Sequence, residues 1–313
     1  MLTIGIDLGG TKCLGLAVDA DGRVAGEHRL PTPNAEPTVL LDTVVATVEA
    51  LRAHGEAGRV GVGAPGLVDR AGVVRFAPNL PGIRDWPLGP SLEQRLGLPV
   101  VLDNDATCAA WGECRAGAAV GKRDVVVVTL GTGIGGGIVS EGRLLRGAHG
   151  FAGEIGHTVV DPHGPPCPCG KRGCWERFAS GSGLGRLGRE AALAGRGARM
   201  VELAGGEPEH VRGEEVTAAA AEGDPEATAV MAQFAWWLAL GLANLANTFD
   251  PEMLVLGGGL ATAGELLLEP ARAAFVDLVE AVEHRPPIEI VTAQLGEQAG
   301  AIGAALIARD AAA

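Results

Sequence analysis

Apolar and polar positions near the start of the chain predict three strands, at residues 2–7, 13–19 and 24–30, joined by tight turns at Gly9-Gly10 and Asp21-Gly22. Over residues 37–54 the period changes, with Leu40, Leu41, Val44, Val45, Val48 and Leu51 at helical spacing. A strand at 59–64 follows, then a loop rich in Pro and Gly as far as Pro90, a short helix, a strand at 99–102 and a helix opening near Asn104. The pattern then restarts. Residues 125–130 read as a strand, 131–137 as a glycine turn, 138–140 as a strand and Glu141-Gly142 as a hairpin turn. The segments DLGGTKCLGLAVDADGRV and TLGTGIGGGIVSEGRL share this order of strand, glycine turn, strand and acidic-Gly turn. Meanders of this kind are common, but the shared turn chemistry favours a duplication. The rest is mostly helical over 174–249, with breaks near Gly205 and Gly223. A strand at 253–256 then runs into Gly257-Gly258-Gly259 and a long helix, and a strand at 288–291 and a helix at 300–308 end the chain. The expectation is two similar α/β domains facing each other across a cleft. The smaller spans 1–118, with a C-terminal helix at about 298–313 packing back on it, and the larger spans 119–297.

A length of 313 residues fits two modest domains, and 47% hydrophobic with 20% charged residues supplies ordinary cores. The formal charge of −13, with no basic run, lacks the footprint of phosphate-backbone binding, so no nucleic-acid partner is expected. The N-terminal residues reach Asp7 without a basic start and a long apolar stretch, so no secretory signal is read. The most apolar helix, around 234–243, reaches Asn244 and Asn247 early, so no membrane span is expected. A soluble cytoplasmic protein is the expectation. Cys13, Cys108 and Cys114 fall in apolar patterns and read as buried thiols of a reducing compartment.

Candidate chemistry gathers at five places. The turn at Asp7-Leu8-Gly9-Gly10-Thr11-Lys12 reads either as a plain glycine hairpin or as a phosphate cradle, with Asp7 able to hold Mg²⁺ through water. The second turn contains a G-x-G-x-x-G string, but a strand and a hairpin follow it where a dinucleotide fold needs a helix, so NAD is rejected. A P-loop string is absent. Gly257-Gly258-Gly259 reads as a strand–helix turn or as backbone lying against an adenosine. Asp103-Asn104-Asp105 ends a strand and opens a helix; one residue suffices as a cap, so a carboxylate is left to take a proton from a substrate hydroxyl. Finally His157, Cys167, Cys169 and Cys174, flanked by Glu154 and Glu176, lie within eighteen residues. A disulfide or free thiols are the plain alternative, but the donor set suits a closed structural zinc, with His163 as a substitute for His157.

Together these residues resemble the ROK family of bacterial sugar kinases and repressors. The run CPCGKRGCWE at 167–176 fits the pattern C-x-C-G-x-x-G-C-x-E, and DLGGTK, DNDA, LGTGIGGG and GEIGH fit as well. The resemblance covers essentially the whole chain and points, within the family, to glucokinases. It implies an actin-like (ribonuclease H-like) duplicated two-lobe α/β fold with a structural zinc loop at 157–176. It also implies ATP with Mg²⁺, and phosphorylation of a hexose at its 6-hydroxyl. Asp105 would be the general base, with Gly66, Asn79, Asn104, Glu154, His157 and Glu176 around the sugar. Asp7, Gly9, Gly10, Thr11, Lys12, Thr132, Gly133, Gly258 and Gly259 would surround the nucleotide, and a homodimer or homotetramer is implied. One departure concerns the sugar loop: many members carry an aromatic residue close behind the asparagine, whereas here Trp86 stands further on. The rivals are a kinase for another hexose (N-acetylglucosamine, N-acetylmannosamine, mannose or fructose), a sugar-sensing repressor, and a zinc-stabilised sugar binder without catalysis.

Overall fold

β-branched and leucine-rich runs form the strands, and the helical periods close over them. In a computed structural model, which describes residues 1–33, 36–77, 80 and 82–311, the first elements are β1 (Leu2–Leu8), β2 (Lys12–Val18), β3 (Val24–Pro31), α1 (Pro37–Leu51) and β4 (Ala57–Ala64). They are followed by β5 (Leu67–Val68), β6 (Val74–Phe76), β7 (Arg84–Trp86), α2 (Leu88–Leu96), β8 (Val100–Asn104) and α3 (Asp105–Ala116). Next come β9 (Val125–Leu130), β10 (Ile134–Ser140), β11 (Arg143–Leu144), α4 (Glu176–Ala179), α5 (Gly181–Leu193), α6 (Ala198–Leu203), α7 (Gly213–Ala221) and α8 (Pro225–Phe249). The last are β12 (Met253–Gly257), α9 (Glu265–Leu278), β13 (Glu289–Thr292) and α10 (Ala299–Asp310).

Two five-stranded sheets have the same plan. One runs β3-β2-β1-β4-β8 and the other β11-β10-β9-β12-β13, in each case a meander extended by two later strands. That shared order matches the duplicated turn chemistry of the sequence. Packing divides the chain into two units. Met1–Val127, Gly136–Gly153 and Ala293–Ala313 form the first, and Val128–Gly135 with Glu154–Thr292 form the second.

In the first unit β1, β4 and β8 are parallel, so their C-terminal ends align: Asp7 stands opposite Gly63, and Gly63 opposite Asp103. Successive side chains of β1 face opposite ways. Ile6 lies with Thr47 and Leu51 of α1 around Gly15, while a Cβ on Gly5 would strike Ala301 of α10. The sheet is therefore covered by α1 on one face and α10 on the other. Leu40, Val44, Val48 and Leu51, spaced for a helix, supply the α1 side of this core.

Two expectations are corrected. The loop before Pro90 holds a three-stranded sheet, β5-β6-β7, whose strands of two or three residues are too short to show a period. The second glycine turn ends at Gly133, and Gly135, Gly136 and Gly137 belong to β10. A Cβ on Gly137 would collide with Ala110 of α3, so the glycines record a close approach rather than a turn. In the second unit α8 is long and apolar enough to cross a membrane by length and composition, but 61% of its apolar window is buried inside the protein. Phe234, Leu238 and Leu242 line its inner face, which identifies it as a core helix.

Candidate functional site

Strand ends and helix starts position the candidate residues of the first unit. β8 stops at Asn104, which caps α3: its Oδ1 accepts the Thr107 N–H at 3.0 Å. Its Nδ2 donates to the Gly66 carbonyl at 3.1 Å. Gly66 sits at φ +92°, where a side chain is strained and would meet the Phe76 carbonyl, so glycine is required there. Because Asn104 does the capping, Asp105 is spared that role; its Oδ1 accepts the N–H of Ala106, at 2.8 Å. Burial raises the Asp105 carboxyl above the ordinary carboxylate value, against hydrogen bonds from its own backbone and neighbours. Asp7, at the end of β1, is pushed up to about 7, first by burial and then by the charge of Asp105. A buried carboxylate at a strand end, repelled by a second one, is a donor that suits a hard divalent cation, so Asp7 fits such an ion.

The first glycine turn closes by a bond from the Gly9 N–H to the Lys12 carbonyl, 2.9 Å. Gly10 and Thr11 are exposed. The Lys12 ammonium meets Glu297 at 2.8 Å, and Arg29 meets the same carboxylate at 3.1 Å. Glu297 was not foreseen, since nothing near it in sequence marks it. Asn79 lies outside the described residues.

In the second unit the turn at Gly131–Gly133 is braced by the start of α5. The Gly181 N–H donates to the Gly131 carbonyl at 2.8 Å, and the Ser182 hydroxyl to the Thr132 carbonyl at 2.8 Å. Gly258 has φ +82° and a Cβ there would strike the Leu130 backbone, so β12 turns tightly into a 3-10 segment at Gly259–Ala263. Gly131, Thr132 and Gly259 line a cavity of about 780 Å³ together with Arg189, Arg212 and Glu214. A cavity of that size holds a cofactor-sized molecule. The starts of α5 and α7 build much of its wall, and no short motif in the sequence announced them.

The Cys/His group folds from residues close in sequence. One ligand atom from each of His157, Cys167, Cys169 and Cys174 lies within 4.8 Å of the others, and all six cysteines are free thiols. His163 stands outside this group; it is exposed and its N–H binds Asp161. The Cys169 and Cys174 sulfurs are 3.6 Å apart, and Cys167 Sγ is 3.7 Å from His157 Nδ1. A tetrahedral zinc with Zn–S near 2.3 Å sets its sulfurs about 3.8 Å apart, so the donor set fits. Desolvation raises Cys167 and Cys174. Against its own desolvation, Cys169 is lowered by the Lys171 N–H and the two neighbouring thiols.

With Nδ1 turned to the sulfurs, His157 Nε2 faces Glu154 at 3.8 Å. Glu176 accepts from the Cys167 thiol at 3.1 Å, and its other oxygen lies against Gly133. The cluster therefore holds Glu176 against the glycine turn, with His157 Nδ1 3.7 Å from Glu176 and Glu154 next to His157. Trp175, fully buried, anchors it to α8 through a bond from Nε1 to the Trp237 carbonyl, 2.8 Å.

Comparison with known proteins places this arrangement. The family model described as the ROK family matches residues 3–311. The chain is 42% identical to the glucokinase of Streptomyces coelicolor, over 99% of this chain and 98% of that protein. It is 36% identical to an N-acetylmannosamine kinase of Escherichia coli, over 99% of both. Among solved structures, a ROK family glucokinase from Streptomyces griseus, in complex with glucose and AMPPNP, matches with a TM-score of 0.88. The two are 42% identical over 99% of this chain and 100% of that one. The α/β fold, with its duplicated sheets, is therefore the actin-like fold of these kinases.

Proposed function

We propose that this chain, which belongs to the ROK family, is an ATP-dependent sugar kinase that phosphorylates glucose at its 6-hydroxyl, with Asp105 as general base. The observation that carries the reading is the Streptomyces griseus glucokinase with glucose and AMPPNP, alike over nearly the full length. Phosphoryl transfer requires positioning and charge stabilisation more than covalent chemistry. Asn104, Glu154, His157 and Glu176 would hold the sugar hydroxyls, and Asp105 would orient the reacting hydroxyl and take its proton. The second-unit cavity, with Thr132 and Gly259 on its wall, would hold the nucleoside, and the turn at Gly9–Lys12 the phosphates. Mg²⁺ would be held by Asp7 and would supply neutralisation of the phosphate charge. Zinc on His157, Cys167, Cys169 and Cys174 would be structural. The free thiols support a cytoplasmic setting.

The second reading is an N-acetylmannosamine kinase, favoured by the 36% identity to such an enzyme. A coupled ADP-release assay with Mg-ATP across a hexose panel separates the two. Preference for glucose supports the first reading, and turnover of an N-acetyl sugar alone replaces it with the second. No sugar-dependent ADP release with any hexose removes the kinase assignment.

A further inference from the structure

The polar run at the end of β8 contains a carboxylate that the kinase reading leaves without a role. Asp103 is 6% exposed, two residues before the proposed base. A buried carboxylate is costly unless it is paired and hydrogen-bonded. Its Oδ2 accepts Arg146 Nε at 2.7 Å, and its Oδ1 accepts the backbone N–H of Asn104 at 2.9 Å. Arg146 lies in the connection after β11. That connection is held again one residue on, where Arg70 donates through Nε and Nη2 to the Gly147 carbonyl at 3.2 and 2.5 Å.

The bonds form a continuous chain. Arg146 holds Asp103, Asp103 holds the Asn104 backbone, and the Asn104 side chain spans Gly66 and Thr107. Pairing between β4 and β8 ends at Ala64 opposite Asn104. Beyond that point the main chain leaves the sheet, and Asp105 is the first residue of α3. The corner that carries the base thus lies just past the last sheet pair, where this chain of bonds ties the two residues before it. The neighbouring Cys108 thiol senses the same grouping: it is raised by burial and by the charges of Asp103, Asp7 and Asp105, and Arg146 opposes them.

We infer that Arg146, acting through Asp103, is a positioning residue for phosphoryl transfer. It fixes the strand-to-helix corner so that the Asp105 carboxylate meets the sugar hydroxyl, and it neutralises one of the three carboxylates gathered there. This rests on the kinase reading with Asp105 as base. Neither Arg146 nor Asp103 needs to touch sugar or nucleotide.

The pair forms part of the wall of a cavity of about 560 Å³, shared with Trp111, Arg143 and Leu144. A small cation therefore reaches Asp103 once the Arg146 side chain is shortened, which makes the inference testable by chemical rescue. Arg146→Ala is expected to lower kcat by about 10- to 100-fold, the cost of a small misplacement of a catalytic group. KM for the nucleotide should stay within about twofold, because ground-state nucleotide binding is untouched. Arg146→Lys restores the charge with a single donor and should recover part of the loss. Guanidinium ion at low concentration should raise kcat of Arg146→Ala relative to sodium chloride at equal ionic strength, and leave the wild type unaffected.

Asp103→Asn should lose a similar amount, and adding Arg146→Ala to it should cost little more, since the two residues act as one unit. Thermal unfolding of each variant verifies that it is folded. Arg146→Ala with wild-type kcat overturns the inference. So does a folded Arg146→Ala whose loss neither lysine nor guanidinium repairs. A wild type without sugar-dependent ADP release in the same assay overturns the kinase reading instead, which keeps the two failures apart.

Discussion

Asp105 and Asp7 show how the surroundings decide what a carboxylate does. From sequence, the run Asp103-Asn104-Asp105 left cap and base open, because Asn and Asp are both good caps. The bond from Thr107 to Asn104 assigns the cap, and Asp105 stays available. Asp105→Ala is therefore expected to lower kcat by about 10²- to 10⁴-fold, the usual contribution of a general base. Calorimetric titration with a nucleotide analogue should give a near-unchanged affinity. A variant that retained more than about a tenth of the rate would remove Asp105 from the role. Asp7 carries a second expectation. Its carboxyl stands at about 7 in the fold, against 3.8 when unperturbed, chiefly through burial and then through Asp105. Between these values the folded chain binds more protons than the unfolded one, so stability falls as pH rises from about 4 to about 7 and is flat on either side. At about 1.4 kcal/mol per unit the fall is on the order of 4 kcal/mol, of which about 3 kcal/mol lies above pH 5. Urea unfolding at about pH 5 and about pH 8 should show it in the wild type and not in Asp7→Asn. Asp7 was legible as a strand-end carboxylate, but its raised pKa was not, because the groups that bury it and the partner that repels it lie far along the chain. Lys12 shows the same limit: its partner Glu297 comes from the turn before α10.

The secondary elements differ in how far sequence reveals them, and the difference follows contact range. The Cys/His cluster was readable because its ligands and the turns between them are local. Metal analysis of protein purified without added zinc should give about one zinc per chain. Cys167→Ser should lose the metal, lower the melting temperature and raise KM for the sugar by about 10-fold or more, because Glu176 loses its support. Retention of full zinc and an unchanged sugar KM in that variant would refute the assignment. By contrast, the three-stranded sheet of β5, β6 and β7 was invisible, and the glycines of β10 were read as a turn. Glycine placed for close packing looks the same in sequence as glycine placed for a turn. The seating of α10 shows why that matters. A Cβ on Gly61 would strike the Ala304 carbonyl, and one on Gly303 the Cys108 carbonyl of α3. The helix thus lies directly on the sheet and on the helix that begins with Asp105. Gly303→Ala is expected to destabilise by about 1–3 kcal/mol, as overpacking does in a filled core. The urea midpoint measures it, and an unchanged midpoint would mean that α10 has room to shift.

For the chain as a whole, the duplicated order of turn residues anticipated two sheets of one topology, because each glycine or acidic-Gly turn fixes how its strands connect. The net charge of −13 is the other global property visible in sequence, and it separates the two proposed substrates. A hexose is neutral and meets no long-range field. Mg-ATP is an anion and is repelled by the summed field of the chain, which salt screens over about 10 Å at 0.1 M. Raising sodium chloride from low concentration to about 0.15 M should therefore increase kcat/KM for the nucleotide. Over the same range kcat/KM for the hexose, measured at saturating nucleotide, should stay flat. A protein that grips phosphates with a basic surface behaves oppositely, losing affinity as salt screens the attraction. Lys12, Arg189 and Arg212 are the local cations that oppose this expectation, but Lys12 is already paired with Glu297, and the two arginines lie on a wall that also carries Glu214. A nucleotide kcat/KM that fell with salt would place capture under those local cations and refute control by the overall charge.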